Sequence, residues 1–175
     1  TSTVATISLC RLSASNPLSF TTMVDTLTLN GRVTRTTYTA ATRVYETRSP
    51  ANRGTWITVD AQGRPTRLET PLVTPVTMTY DARGRLVTVA QGARATSTAY
   101  DPLSGYEASR TDALGRTTAS ERDALGRVLR EVLPDGNEVG YSWDGRGNRT
   151  TVSPPGRPAH VQTFDVVDRP SGYYP

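Results

Sequence analysis

Aspartates recur along most of this chain, and paired carboxylates are the groups that cleave glycosidic bonds by general acid–base catalysis. The recurring residues are Asp60, Asp81, Asp101, Asp112, Asp123, Asp144 and Asp165. They follow one another at roughly 21 residues, or at about half that distance, which is typical of an internal repeat. Catalytic pairs need no such period, whereas hairpins do. We therefore interpret these carboxylates as structural and predict no enzymatic activity.

Other residues that could carry chemistry are few. His160 is the single histidine and could act as the base of a catalytic triad, but the chain has no Gly-x-Ser-x-Gly elbow. Because there is also a single cysteine, Cys10, one chain cannot build a multi-histidine or cysteine-based zinc site or an intrachain disulfide. We expect His160 to be a packed or surface residue.

The Asp-rich turns do not fit a calcium loop, which needs several oxygen ligands within a short span. In "DARGRL", which begins at Asp81, arginine occupies the place of a second acid. The chain also has no lysine and no Gly-x-x-x-x-Gly-Lys phosphate loop. The sequence therefore predicts no cofactor and no metal.

Aromatic residues before the turns or within the alternating segments could stack on sugars or bases. These candidates for ligand stacking are Tyr80, Tyr100, Tyr141 and Trp143. Their positions suit packing between neighbouring strands equally well. Both interpretations stay open at this point.

The formal net charge of +4 comes entirely from arginine. A basic balance can indicate a nucleic-acid partner, but these arginines are spread through the chain and interleaved with aspartate. We predict no nucleic-acid binding, and no membrane span because no apolar stretch reaches about 18 residues.

The first residue is Thr rather than Met, so we expect a processed chain or an excerpt, without its targeting signal.

The elements that position these residues are hairpins. Asp-x-x-Gly-Arg is the composition of a type I turn followed by a glycine in the left-handed region, with the arginine starting the return strand. The same phrase recurs because the same hairpin corner recurs. The predicted turn residues are Asp60, Gly63, Arg64, Asp81, Gly84, Arg85, Asp112, Gly115, Arg116, Asp123, Gly126, Arg127, Asp144 and Gly147.

The segments between the turns alternate in character, as in "NEVGYSW", where Val139, Tyr141 and Trp143 occupy every second position. Period-two patterns rich in β-branched and aromatic residues indicate short antiparallel strands. We predict an all-β fold of repeated antiparallel hairpins, about 21 residues each, that form a spiralling sheet. Residues 1–19 form a non-repeat segment, and residues 20–175 form a single repeat array.

The repeated Tyr80-Asp81-x-x-Gly84-Arg85 phrase, together with "PDGNEVGYSWDGRGNRTTV" from Pro134, closely resembles the YD-repeat or RHS-repeat family. "PPGRPAH", from Pro154, is similar to a stretch found in bacterial members. The resemblance implies a segment of a β-shell, as in the insecticidal toxin complexes, the polymorphic toxins and the teneurins. The family's self-cleaving region and its "DPxG" signature are not matched, and we interpret "DPLSG" at Asp101 as a variant turn.

The resemblance implies a non-enzymatic structural segment of a bacterial surface or secreted protein. Its partners would be the remainder of a longer RHS chain and the C-terminal toxin domain that the shell encapsulates or presents. The alternative is an extracellular binding or self-assembling β-module, with glycan contacts or with homo-oligomers formed through the exposed sheet edges.

Overall fold

The computed structural model describes residues 3–11 and 20–175, and these contain sixteen β-strands and no helix. The strands are β1 (Thr3–Arg11), β2 (Phe20–Leu29), β3 (Arg32–Thr39), β4 (Val44–Arg48), β5 (Gly54–Val59), β6 (Pro65–Thr70), β7 (Val73–Tyr80), β8 (Leu86–Gln91), β9 (Arg94–Tyr100), β10 (Glu107–Thr111), β11 (Thr117–Arg122), β12 (Val128–Val132), β13 (Glu138–Trp143), β14 (Arg149–Ser153), β15 (His160–Phe164) and β16 (Pro170–Tyr174). The described part of the chain has no helix that could cross a membrane.

The strands are antiparallel and follow one another in sequence order in one open sheet. The predicted all-β fold of antiparallel hairpins is therefore confirmed. The predicted non-repeat segment 1–19 is described only in part. Its residues 3–11 form β1, which pairs with β2, whereas residues 1–2 and 12–19 lie outside the described residues. The chain divides into two compact units, with the boundary after Ala95.

In the first unit, up to Ala95, directly paired apolar residues form a row across six strands on one face of the sheet. This apolar row consists of Met23, Tyr38, Tyr45, Ile57, Leu68 and Val76. The rings of Tyr38 and Tyr45 lie 4.5 Å apart between centroids. Threonines flank this row on the same face, since Thr36 and Thr47 lie two residues along from Tyr38 and Tyr45, and their hydroxyls share a hydrogen bond of 3.0 Å.

Neither unit has a second layer on its sheet. Within each unit, contacts between the described strands are confined to strands that follow one another in the sequence. Val59, at 7 % exposure, is the one hydrophobic residue that counts as buried among those whose burial the structure describes. The ladder hydrogen bonds and the cross-strand side-chain pairs therefore hold this sheet together, rather than an enclosed core.

The second unit, from Thr96 onward, has shorter strands and more charge on them. Arg130 bridges the carboxylates of Glu121 and Glu138 on the two neighbouring strands, at 2.5 and 2.6 Å. Exposed ion pairs of this kind contribute about 0–1 kcal/mol each, so they orient the strands more than they stabilise them.

Candidate functional site: linked hairpin corners

The corner at Asp60 shows how the sequence builds its turns. One carboxylate oxygen accepts hydrogen bonds from the backbone N–H groups of Gln62 and Arg64, both at 2.9 Å. The other accepts the Arg64 Nε–H at 2.6 Å. Gly63 donates its N–H to the Asp60 carbonyl at 3.1 Å and has a φ of +80°. This geometry is a type I turn closed by a left-handed residue, which glycine adopts at little steric cost.

The same hydrogen bonds recur at the corners that begin at Asp81, Asp112 and Asp123. At Asp144, the amide of Asn148 replaces the arginine and donates to the carboxylate at 3.0 Å. At Asp165, a second aspartate, Asp168, takes the glycine position with a φ of +62°. The Asp101 corner is one residue longer, since Gly105 bonds back to Asp101 and Tyr106 closes the turn.

The corner carboxylates hold their negative charge more firmly than free aspartates. The backbone hydrogen bond from Arg85, followed by its side chain, lowers the pKa of Asp81. At Asp112 the largest contribution is the side-chain hydrogen bond from Arg116, and the pKa is again lowered. Charged carboxylates accept stronger hydrogen bonds than neutral acids do. The ionised form is therefore the form that closes each turn.

The corners lie at the two opposite ends of the strands. In the first unit, the corners at Asp60 and Asp81 join β5 to β6 and β7 to β8, and so lie at the same end. In the second unit, the corners at Asp101, Asp123, Asp144 and Asp165 lie together at one end of the strands. We call this end the linked end in both units. Asp112 joins β10 to β11 at the opposite end of the strands of the second unit. Sequence reasoning had placed Asp112 in the same set.

Side chains connect successive corners at the linked end of the first unit. The Tyr80 hydroxyl donates a hydrogen bond of 2.7 Å to the carbonyl of Pro65, which follows the preceding corner. The Arg64 guanidinium lies 4.7 Å from the centre of the Tyr80 ring. Tyr80 therefore binds the corner before it through both its polar group and its ring, and cation–π contact adds to the hydrogen bond.

The second unit repeats this link with a different aromatic residue. The Trp143 indole N–H donates to the carbonyl of Val128 at 2.7 Å, and Arg127 lies 5.8 Å from the indole centre. Arg127 also donates to the carbonyl of Asp144, at 3.0 Å. The donor again lies fifteen residues after its acceptor. The two links are therefore equivalent, although tyrosine and tryptophan differ in shape.

One link reverses the two residue types. Arg122 occupies the place before Asp123 that an aromatic residue takes elsewhere, and it donates to the Glu107 carbonyl at 3.2 Å. Tyr106 occupies the place that arginine takes elsewhere. Its ring lies against Gly126 of the next corner, where an added Cβ would be 2.8 Å from Cε1. Sequence reasoning missed this pair because neither residue matches the repeated phrase.

At the opposite end of the strands, the described residues form no such link at Asp112. No atom lies within 4 Å of the Cβ that an alanine at Gly115 would carry. The Arg116 side chain is 61 % exposed, against 26 % for Arg127. Two nearly identical phrases, "TDALGRT" and "RDALGRV", therefore form similar turns in different surroundings.

The four aromatic candidates for ligand stacking fall into different settings. Tyr80 and Trp143 take part in the links. Tyr100 ends β9 opposite Glu107. Tyr141 lies within the sheet face, where its hydroxyl donates to Glu131 at 2.8 Å. Burial, with a smaller contribution from Glu131, raises the pKa of Tyr141. Ligand contact stays a prediction for all four residues.

The single histidine of the chain begins β15. Nδ1 of His160 shares a hydrogen bond of 2.5 Å with the Tyr173 hydroxyl. In the ranges that the structure describes, no three His, Cys, Asp or Glu side chains are grouped to hold a metal ion.

Comparisons with known proteins identify a family of repeat proteins. The family model described as RHS Repeat matches residues 59–96, 103–138 and 122–159. The chain is similar in structure to the Tc holotoxin pore of Photorhabdus luminescens, with a TM-score of 0.42, 15 % identity, and coverage of 96 % of this chain and 9 % of that chain. It is also similar to TcdB2-TccC3-TEV, with a TM-score of 0.41, 15 % identity, and coverage of 94 % and 9 %. The chain thus spans about 9 % of the length of these structures. No curated protein matches it.

Proposed function

This chain belongs to the RHS repeat family, and we propose that its hairpins form part of the wall of a β-shell in a longer bacterial protein. The wall would encapsulate or present a C-terminal toxin domain, and the protein would be secreted or exposed at the cell surface. The chain has a structural role of the RHS type. The proposed mechanism is steric, because a continuous hydrogen-bonded sheet keeps solvent and other proteins away from what lies behind it.

The apolar row of the first unit is the observation that supports the wall most strongly. Six apolar or aromatic residues pair directly across β2 to β7, yet each of them stays partly exposed. An isolated domain normally buries such a face against another element. A sheet that is one wall of a larger enclosure faces other parts of the same protein instead.

The contacts at the linked end supply the rigidity that a wall needs. Each link joins a corner to the next corner, so a hairpin is held at its tip as well as along its strands. Repeat proteins are stabilised by such contacts between neighbouring units. The corner residues Asp60, Gly63, Asp81, Gly84, Asp123 and Gly126 would thus serve the function by fixing the geometry of the wall.

Limited proteolysis of the native full-length protein tests this proposal. Its intact mass should greatly exceed that of 175 residues, and its C-terminal domain should resist protease until the repeats unfold. The matched control is the same C-terminal domain produced alone. Equal cleavage rates for the enclosed and the isolated domain would contradict encapsulation.

The self-assembling module is the second candidate, and the open sheet favours it. β1 and β16 are the first and last strands of the sheet, and exposed edge strands pair readily with other chains. Sedimentation at several protein concentrations separates the two functions. A native protein of about this length that forms larger species as its concentration rises would favour self-assembly over the shell.

A further inference from the structure

A shallow cleft of about 690 Å³ lies in the first unit, at the ends of β3, β4 and β5 that are opposite the linked end. Its polar lining consists of Arg32, Thr34, Thr47, Ser49, Arg53 and Thr55. Thr47 lies two residues from Tyr45, so the cleft opens on the face that carries the apolar row, beyond the row itself. No step of the proposed wall mechanism uses these polar groups.

The turn at Ser49 has the hydrogen bonds of the aspartate corners, with serine in the place of the aspartate. The Ser49 N–H donates to the Arg53 carbonyl at 3.0 Å, and the Asn52 N–H donates to the Ser49 carbonyl at 2.8 Å. Asn52 takes the left-handed position with a φ of +56°. The Ser49 hydroxyl accepts the backbone N–H of Arg53 at 3.0 Å, as one carboxylate oxygen of Asp60 does for Arg64. The turn therefore forms without an aspartate.

Serine cannot supply the other half of an aspartate corner. At Asp60 and Asp123, the second carboxylate oxygen accepts the Nε–H of the corner arginine at 2.6 Å. Ser49 has a single side-chain oxygen, and that oxygen already binds the backbone. Arg53 is exposed and belongs to none of the ion pairs that the described residues form. Its guanidinium therefore lacks the oxyanion that the equivalent arginines bind.

Arg32 brings a second positive charge to the same cleft. The register that pairs Arg35 with Arg48 continues to place Arg32 opposite the turn at Ser49. Arg32 is likewise exposed and absent from the ion pairs of the described part of the chain. Two guanidinium groups that no carboxylate neutralises thus line one small surface.

The acids on the surrounding strands lie elsewhere. β3 and β5 contain none. Glu46 of β4 is on the opposite face, because it precedes Thr47, and it accepts the Nε–H of Arg48 at 2.6 Å. Asp25 of β2 shares the face of the cleft but pairs with Thr36, so its backbone lies about 13 Å from that of Arg32 along the strands. The positive charge of the cleft is therefore available to a ligand.

We propose that this cleft binds a small phosphate monoester with a polyhydroxy body, the class that includes the sugar phosphates. A phosphate monoester carries nearly two negative charges at neutral pH and three acceptor oxygens, which match the two guanidinium groups. Guanidinium groups bind phosphate through paired N–H donors. One phosphate oxygen would take the place of the carboxylate oxygen that Ser49 lacks, on the side chain of Arg53.

The rest of the lining favours a hydroxylated ligand body. Thr34 and Thr55 offer hydroxyl groups beside the arginines, and the volume is typical of a small-molecule site. The backbone groups of β3, β4 and β5 are paired in the sheet ladder. An extended peptide, which binds a sheet through unpaired backbone groups, therefore fits this face less well. The inference does not rest on the proposed shell, since it uses the side chains of this cleft alone.

Calorimetric titration of the native full-length protein at pH 8 and constant ionic strength tests the site. The probe is glucose 6-phosphate. Glucose 6-sulfate is its control with a single negative charge, and inorganic phosphate is its control without a hydroxylated body. We expect saturable binding of glucose 6-phosphate, and binding of both controls weaker by about tenfold or more, the loss expected when a charged hydrogen bond is removed. No saturable heat with glucose 6-phosphate, or equal affinity for either control, would overturn the proposal.

Three variants then locate the ligand in the cleft. Arg53→Gln removes a guanidinium and should weaken binding about tenfold or more. Ser49→Asp recreates the usual corner, so its carboxylate should occupy Arg53 and abolish binding without lowering the midpoint of thermal unfolding. Arg35→Gln removes an exposed arginine of β3 outside the cleft and should change nothing. Equal effects of the two arginine variants, or full affinity in a folded Ser49→Asp protein, would contradict the assignment.

Discussion

Gly126 and Gly115 offer a direct measure of what a link contributes to stability. Both glycines close an Asp-Ala-Leu-Gly-Arg corner, and both have positive φ, 81° at Gly126 and 77° at Gly115. They differ in their surroundings, because Gly126 carries the Tyr106 ring and Gly115 faces open space. Replacing each glycine by alanine therefore adds the same methyl group to the same turn, with and without a neighbour.

The structure sets the size of the two effects. An alanine in the left-handed region costs about 1–2 kcal/mol at either position. At Gly126 the new Cβ would also lie 2.8 Å from Cε1 and Cζ of Tyr106, roughly 1 Å closer than ordinary carbon contact. The ring must swing away, and re-exposing part of it at about 25 cal/mol per Å² costs on the order of 1 kcal/mol more. We expect Gly126→Ala to cost about 2–3 kcal/mol and Gly115→Ala about 1–2 kcal/mol.

Urea unfolding of the two variants, combined with hydrogen exchange at the affected strands, measures these costs. Exchange is included because long repeat arrays can depart from two-state unfolding. A Tyr106→Ala background serves as the control, since the excess cost of Gly126→Ala should disappear when the ring is absent. Equal costs for the two glycines, or an excess that survives in that background, would refute the role assigned to the link.

Three further outcomes are expected from the same geometry. Trp143→Phe leaves the Val128 carbonyl without its side-chain donor and should lower the free energy of unfolding by about 1 kcal/mol; an unchanged urea midpoint would count against the link. Tyr106→Arg and Arg122→Tyr should each destabilise the second unit, whereas the double variant, which recreates the usual order, should recover most of the loss in thermal unfolding. The pKa of Asp81 and of its equivalents is lowered in the folded state, so the folded protein binds fewer protons than the unfolded one. These carboxylates therefore stabilise the fold above the unfolded pKa of about 3.9, and the effect is lost as the pH falls through the lower folded values. A urea midpoint that already drops between pH 7 and 5 would contradict this cause.

The strands and their corners could be predicted because their causes are local. In the Asp81 phrase, the carboxylate, the glycine and the arginine all act within five consecutive residues. Period-two alternation between such turns leaves few alternatives to antiparallel hairpins. Asn148 escaped prediction although it does the same work as Arg85, because the phrase was defined by residue type rather than by the hydrogen bond that the position needs.

The links could not be predicted because they depend on the strand register. The partners Tyr80 and Pro65 are fifteen residues apart, and a shift of one residue would turn Tyr80 to the other face. Irregularities such as the one between Thr58 and Val59 alter the register at the strand ends.

The unlinked corner at Asp112 is where this chain should accept added polypeptide. Loop tips whose backbone supports nothing else tolerate insertions best, and the open space around Gly115 leaves room for an inserted sequence. An epitope or a fluorescent domain placed there would report on the protein without separating two hairpins. The same insertion at Gly126 would displace Tyr106. The two ends of the strands therefore differ in how readily they accept a new segment.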